Sequence, residues 1–169
     1  MLKSQDIVVL LKVAGSPSWT FDSLGHELGL SVSAVHRSLR RAAAAGLYDP
    51  GRREIKPQAL LEFVVHGLKY VFPPEWGGEA RGRPTAWKAP PLSGRLSSSG
   101  SPPVWPDPLG EARGIHLEPL HPSVPEAARK DSSLWELLSL VDAIRIGNAR
   151  ERQMAAIELE ERFYGTSQQ

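Results

Sequence analysis

The sequence predicts a mainly α-helical fold with small β elements, because three stretches of the chain differ sharply in pattern. Residues 4–56 carry apolar positions at helical spacing, broken by glycines and followed by an Asp-Pro-Gly turn. Residues 73–114 hold nine of the 15 prolines and a serine-glycine run, a composition typical of loops and short strands. Residues 133–164 return to apolar residues at three- and four-residue steps, which predicts two helices. The predicted regions are therefore 1–72, 73–114 and 115–169.

The first region is expected to begin and end with a helix. Ser4 can cap a helix from about Gln5 to Ala14, and Gly15 ends it. Pro57 is placed to start a later helix that carries a broad apolar stripe as far as Val71. This stripe needs a partner, either the core of the same chain or a second copy, and core packing is favoured.

Between these helices, residues 20–48 predict two short helices joined by a tight turn. Gly25 stands where the second helix must approach closely, and Gly29 ends the first helix at a position that needs a left-handed backbone. Ser31 caps the second helix, which is expected to run from Val32 to Ala45. Two helices that cross steeply over a small shared core form a helix-turn-helix.

A rotation of about 100° per residue divides this second helix into two faces. The apolar face consists of Val32, Val35, Leu39 and Ala42. The opposite face, the predicted DNA face, carries Ser33, Arg37, Arg40 and Arg41, with Ala34 and His36 on its flanks. Arginine can donate two parallel hydrogen bonds to guanine or clamp a phosphate, and a small residue near the helix start lets the backbone approach base edges. A solvated basic face on a three-helix core is the alternative. The DNA-binding residues predicted here are Ser31, Ser33, Ala34, His36, Arg37, Arg40 and Arg41.

A short β-hairpin is expected directly after this helix. Asp49, Pro50 and Gly51 supply the turn, and a return strand runs from Glu54 to Lys56. The turn places Arg52 and Arg53 at the hairpin tip, where they are predicted to reach a phosphate or a narrow minor groove. Surface arginines that serve only solubility are the alternative.

The stretch Leu28–Arg41 (L-G-L-S-V-S-A-V-H-R-S-L-R-R) and the exit Ala45–Leu47 resemble the winged helix-turn-helix transcription regulators of the MarR and IclR kind. The resemblance covers residues 4 to about 56. It implies a DNA-contact role for the residues Ser33, Arg37, Arg40 and Arg41. The chain departs from the pattern at Ala42, where these families place a larger apolar residue, and in its very short hairpin, or wing.

The middle region contains an internal repeat. Gly78–Gly82 and Gly110–Gly114 are the same pentapeptide, Gly-Glu-Ala-Arg-Gly, and each follows a tryptophan and precedes a predicted strand, Pro84–Lys88 or Ile115–Leu120. The repeats are interpreted as related hairpin turns that pair, with coincidence, or an arginine-glycine contact to a partner or to phosphate, as alternatives. A flexible loop is expected at about Ser93–Pro102.

The C-terminal region predicts an antiparallel helical hairpin, with helices from about Ser133 to Ile146 and from about Ala149 to Tyr164. Such a pair cannot bury its apolar faces alone. It must pack on the N-terminal region, on a second copy or on another protein, so this region is the candidate for dimerisation or partner binding.

Three arginines surround the start of the second of these helices. Arg145, Arg150 and Arg152 are a possible anion or partner contact, since free N–H groups and the helix dipole favour an anion there. The ordinary alternative is that Asn148 caps the helix while Arg150 and Arg152 pair with nearby glutamates.

The sequence does not predict an enzyme, a metal site or a cofactor. No cysteine is present, which excludes disulfides and thiolate chemistry. His116, Glu118 and His121 superficially resemble a metal-ligand cluster, but Pro119 interrupts the helix that a two-histidine zinc motif requires. No glycine-rich phosphate loop or serine elbow is present.

Together these patterns predict a cytoplasmic, dimeric transcription regulator that binds double-stranded DNA and represses by occupying a promoter. The net charge of +1 is compatible with DNA binding because the charge is segregated: Arg37, Arg40, Arg41, Arg52 and Arg53 lie close together, while Glu158, Glu160 and Glu161 lie near the far end. The alternative is the antitoxin of a two-gene operon, whose C-terminal half neutralises a partner enzyme while the winged helix represses its own promoter. An accessory subunit that uses the winged helix for protein contacts comes third. No membrane association is expected.

Overall fold

The computed structural model describes residues 1–97 and 100–165. The helices are α1 (Ser4–Ala14), α2 (Phe21–Leu28), α3 (Val32–Ala44), α4 (Pro57–His66), α5 (Leu68–Val71), α6 (Val124–Lys130), α7 (Ser132–Ile146) and α8 (Ala149–Gly165). The strands are β1 (Tyr48–Asp49), β2 (Glu54–Ile55), β3 (Trp76–Pro84), β4 (Pro103–Pro106) and β5 (Ala112–Leu117). The predicted fold class, mainly α with small β elements, is confirmed.

The first helix lies where the sequence predicts it, but Ser4 is not its cap. Lys3 is the N-cap residue, and its backbone N–H donates to the Asp6 carboxylate at 2.8 Å. An acidic residue in the first helical turn can satisfy a free N–H as well as a serine can. From Asp6 to Ala14 every residue of α1 is buried, so this helix is the centre of the core.

The helix predicted from Pro57 to Val71 is broken into α4 and α5 at Gly67. Leu60, Val64 and Leu68 of its apolar stripe are buried, as the spacing predicts, whereas Val71 remains 52% exposed. The core therefore takes most of the stripe, and the last turn is left outside.

β3, β4 and β5 form a small closed sheet in which each strand contacts the other two. β3 is antiparallel to both neighbours, and β4 and β5 run parallel. The last three residues of each pentapeptide pair with each other, but they do so within strands β3 and β5 and not as hairpin turns. Closure requires pairing between residues distant in sequence, for which local turn signals give no indication.

In the middle region one local prediction is wrong, and a second differs from the structure only at its start. Pro84–Lys88 is not a strand, because Ala86–Lys88 forms a single 3₁₀ turn, with Ala86 at a φ of 57°. The predicted loop Ser93–Pro102 is partly ordered, since Leu92–Gly94 forms another 3₁₀ turn anchored by fully buried Leu92. Residues 98 and 99 of that loop lie outside the described residues.

The C-terminal helical hairpin packs on the N-terminal region of the same chain. α8 contacts α4, and α7 contacts α1, α4 and α5. Buried side chains of α1, α4, α7 and α8 belong to one hydrophobic core. Of the three partners that the sequence leaves open for this hairpin, the structure shows the N-terminal region of the same chain. Within residues 1–97 and 100–165, no helix has the length and apolar character to span a membrane.

Candidate nucleic-acid interface

The turn between α2 and α3 is built as the glycine pattern predicts. Gly29 ends α2 with a φ of 68°, in the left-handed region that glycine adopts without strain. A Cβ at Gly25 would lie 2.6 Å from the carbonyl oxygen of Leu30, so only glycine allows the helices to approach this closely. Gly25 accepts a hydrogen bond from the N–H of Leu30 at 2.8 Å, which fixes the turn.

Both helices of this motif begin with hydroxyl caps. The Thr20 hydroxyl accepts from the N–H of Ser23 at 2.9 Å, and the Ser31 hydroxyl accepts from the N–H of Ala34 at 3.1 Å. Caps of this kind satisfy N–H groups that a helix start leaves free. The start of α3 is thereby ordered before any ligand binds.

The outer face of α3 consists of Ser33, His36, Arg37 and Arg40, all of which are exposed. They lie within one narrow arc of the helix, opposite fully buried Val35. Among the described residues, neither Arg37 nor Arg40 forms an ion pair, so these guanidinium groups are free to bind a ligand.

Two residues of α3 lie elsewhere than the face analysis predicts. Val32, assigned to the apolar side, is 40% exposed. Arg41, assigned to the DNA face, turns toward the core and binds the buried carboxylate of Asp6 through Nε at 2.9 Å and Nη2 at 2.7 Å. The hydrogen bond to Asp6 raises the pKa of Arg41, against the opposing effect of burial. Asp6 lies in a distant helix, so the sequence does not indicate this pairing.

The hairpin predicted after α3 is present and has two-residue strands, β1 and β2. The Asp49 carboxylate orders its turn by accepting from the N–H groups of Gly51 at 3.0 Å and Arg52 at 3.1 Å. The Arg52 side chain is 81% exposed at the tip. The left-handed residue of the turn is Arg53, with a φ of 57°, and not Gly51 as the turn chemistry suggests.

Sequence reasoning missed a stack of side chains that connects the wing to α3. The Arg53 guanidinium lies 4.3 Å from the ring centroid of Trp19 and donates to the Trp19 carbonyl at 3.2 Å. Trp19 meets Phe21 edge to face at 5.4 Å, and Phe21 stacks on the imidazole of His36 at 3.8 Å. Arg53 therefore positions the wing, while His36 is held flat beside Arg37. The sequence signal for this contact is the pair of aromatic residues at the start of α2, with Trp19 just before the helix and Phe21 as its first residue.

The arginines near the start of α8 do not form a common site. Arg145 is buried, and it donates to the carbonyl of Phe72 at 2.8 Å and to Asp142 at 3.1 Å. Arg152 donates to the carbonyl of Gly147 at 3.1 Å, and Arg150 is exposed. The prediction of one anion site here is wrong for Arg145, which is already paired within the core.

The start of α8 is satisfied within the chain. Asn148 accepts from the N–H of Glu151 at 2.9 Å, and the Glu151 carboxylate accepts from the N–H of Asn148 at 2.8 Å. A carboxylate thus occupies the position that the dipole argument assigned to an external anion. The Asn148 cap of the alternative is confirmed, whereas neither Arg150 nor Arg152 forms an ion pair with a glutamate among the described residues.

His116 and His121 contact different partners. His116 Nε2 lies 2.8 Å from Glu118, whereas His121 Nδ1 lies 2.8 Å from the Ser123 hydroxyl. The described residues hold no group of three potential ligands that could bind a metal ion.

No protein-family profile, curated protein or solved structure matches this chain.

Proposed function

We propose that this chain is a sequence-specific DNA-binding transcription regulator that inserts α3 into the major groove. The observation that carries the proposal is the outer face of α3, where Arg37 and Arg40 are exposed beside Ser33 and His36 without an ion-pair partner among the described residues. A helix that follows a tight turn and exposes arginine and small polar side chains has the form that reads base edges.

The contrast among the three arginines of α3 supports this assignment. Arg41 has a structural role, because its guanidinium neutralises buried Asp6. Arg37 and Arg40 form no comparable ion pair among the described residues, so packing does not explain why these positions carry guanidinium groups. Arginine is the residue that most often donates two hydrogen bonds to guanine.

The wing extends this surface toward the DNA backbone. Arg52 projects from the tip, while the stack of Arg53 on Trp19 holds the hairpin beside α2. We assign Arg52 a phosphate contact and Arg53 a positioning role. A phosphate contact orients the protein without reading sequence.

We further propose that the regulator represses by occupying its promoter as a dimer in the cytoplasm. A two-fold dimer would present two copies of α3 to half-sites about 34 Å apart. The antitoxin alternative requires an apolar C-terminal surface that awaits a partner enzyme. Because Leu134, Leu137 and Leu138 are buried within this chain, the regulator is the better supported of the two.

The test is binding to DNA from upstream of the chain's own gene, compared with scrambled DNA across a salt series. The variant Arg37→Ala/Arg40→Ala should lose sequence-selective affinity by about 1–3 kcal/mol per arginine that pairs with a base. Arg129→Ala/Arg150→Ala is the matched control, since it removes two exposed arginines outside the winged helix. Equal selective binding by both variants would contradict the assignment of α3.

A further inference from the structure

We propose that Arg81, Arg83 and Arg113 form a phosphate-binding site on the outer surface of β3 and β5. The site lies outside the helix-turn-helix and does not depend on the function proposed for α3. It arises from the pentapeptide repeat, whose two copies the fold brings together.

The repeats are aligned so that their arginines face each other. In the antiparallel pairing of β3 with β5, Ala80 is opposite Gly114, Arg81 is opposite Arg113, and Gly82 is opposite Ala112. Directly opposed residues project from the same side of a sheet with their Cβ atoms about 5 Å apart. The arginine side chains of the two repeats therefore emerge together.

Packing explains the last glycine of each repeat. A Cβ at Gly82 would collide with the carbonyl oxygen of Trp105, and a Cβ at Gly114 would collide with that of Pro102. These glycines face inward, where closure of the three-stranded sheet leaves no room for a side chain. Because side chains alternate along a strand, the neighbouring arginines face outward. Closure of the three-stranded sheet therefore does not explain why these two positions carry arginine.

Two guanidinium groups in opposed positions repel each other, and like charges directly opposite destabilise a sheet. Arg81 and Arg113 are both exposed, and neither forms an ion pair with a described residue. The repeat glutamates, Glu79 and Glu111, are also exposed and make no ion pair with them in residues 1–97 and 100–165. The charge of the arginine pair is thus left without direct compensation.

Arg83 adds a third guanidinium, two residues from Arg81 and on the same side of β3. It lies 4.8 Å from the ring centroid of Trp135, whose Nε1 donates to the carbonyl of Pro84 at 2.9 Å. Stacking on a fixed indole orders this guanidinium in advance. Its Nε is buried without a hydrogen-bond partner among the described residues, so any ligand would be bound through the other guanidinium nitrogens.

Three guanidinium groups within one strand pair match a ligand with several anionic oxygens. Arginine forks bind phosphate through paired N–H···O bonds, and the stacked Arg83 would lose little freedom on binding. The ligand class is therefore a phosphate group. It can come from a nucleic-acid backbone or from a free phosphorylated molecule, and the experiment separates the two.

The test uses the full chain carrying Arg37→Ala/Arg40→Ala, so that α3 does not contribute to binding. Inorganic pyrophosphate and a short oligothymidylate are titrated by calorimetry into this protein, with and without Arg81→Gln/Arg113→Gln. The control carries Arg129→Gln/Arg150→Gln, which makes the same change in net charge at exposed positions. Both pairs of substitutions lie on the surface, and thermal melts verify that each protein is folded.

We expect the Arg81→Gln/Arg113→Gln protein to bind at least about tenfold more weakly than the control, since each charge-assisted contact is strong. Loss of oligothymidylate binding alone identifies a nucleic-acid backbone as the source, and loss of pyrophosphate binding identifies a free phosphorylated ligand. Failure of both probes to bind, or equal binding by the substituted and control proteins, would overturn the site. Neither result would bear on the DNA contacts proposed for α3, because Arg37 and Arg40 are absent throughout.

Discussion

Replacing Arg41 by Ala should destabilise the fold, whereas replacing Arg37 should leave stability unchanged. Asp6 is fully buried, and its carboxylate accepts two hydrogen bonds from Arg41 and one from the N–H of Lys3. Without Arg41 the carboxylate keeps only the backbone contact and has no cation beside it. Arg37 is exposed and has no such partner among the described residues.

The magnitude follows from the burial of the pair. Breaking a buried ion pair by removing one partner costs about 3–5 kcal/mol. The Arg41 side chain is 20% exposed, so water can partly replace it, and the lower end of that range applies. With a urea m-value of about 2 kcal/mol/M, a loss of about 3 kcal/mol lowers the unfolding midpoint by about 1.5 M. Arg37→Ala should change stability by no more than about 0.5 kcal/mol.

The assay is urea unfolding followed by circular dichroism, with DNA binding measured on the same proteins. The double variant Asp6→Asn/Arg41→Gln should recover part of the loss, because it leaves no uncompensated charge. If Arg41→Ala unfolds at the wild-type midpoint but loses DNA binding, then Arg41 reads DNA and the core role given to it here is wrong.

Three further substitutions test other contacts. Gly25→Ala should lower stability by about 1–3 kcal/mol, because the new Cβ meets the Leu30 carbonyl, and an unchanged thermal midpoint would show that the turn relaxes. Burial lowers the pKa of His121, whose neutral Nδ1 accepts a hydrogen bond from the N–H of Ser123. The free energy of unfolding should therefore fall as the pH drops below about 6.5, because the unfolded chain binds the proton more tightly. In His121→Asn, the urea midpoint should depend less on pH over this range. A His121→Asn protein with the wild-type pH dependence would assign the effect to another group. Asp131→Ala should be less stable than Asp131→Asn by about 1 kcal/mol, because only the asparagine side chain can still accept the hydrogen bond from the N–H of Leu134 that caps α7. Equal melting temperatures of the two proteins would refute the capping role.

The sequence predicts those parts of the fold in which the signal is local. Gly29 and Ser31 mark the turn because backbone conformation and capping depend on neighbouring residues, and α7 and α8 are bounded within one residue for the same reason. Arg41 is misplaced because its partner Asp6 lies far away along the chain, and Arg145 because burial against the distant carbonyl of Phe72 accompanies its local pairing with Asp142. A guanidinium on a helix surface has the same sequence pattern whether it binds DNA or a buried carboxylate.

The closed sheet shows a second limit of local reasoning. The pentapeptide repeat was visible, but the pairing of its two copies depends on the third strand, β4, which packs against their glycines. A glycine-rich segment can therefore be predicted as a turn although it forms a strand, because glycine is also the residue that allows close contact between backbones. In such a strand the glycines lie where another backbone packs closely, and the residues that alternate with them project to the opposite, outer side.

Helix α1 links the helix-turn-helix to the C-terminal helices. Near its start, Asp6 binds Arg41 of α3, and near its end, buried Lys12 pairs with Asp131, the residue that caps α7. Gly15, which follows α1, packs against Leu137 of α7, whose Cδ1 would lie 3.2 Å from a Cβ at this position. Because the orientation of α3 depends on α1, and α1 is fixed in turn by α7, the C-terminal hairpin is part of the support for the proposed DNA-reading surface. A DNA-binding measurement on residues 1–72 alone would therefore test a different structure, and the full chain is the proper subject of that experiment.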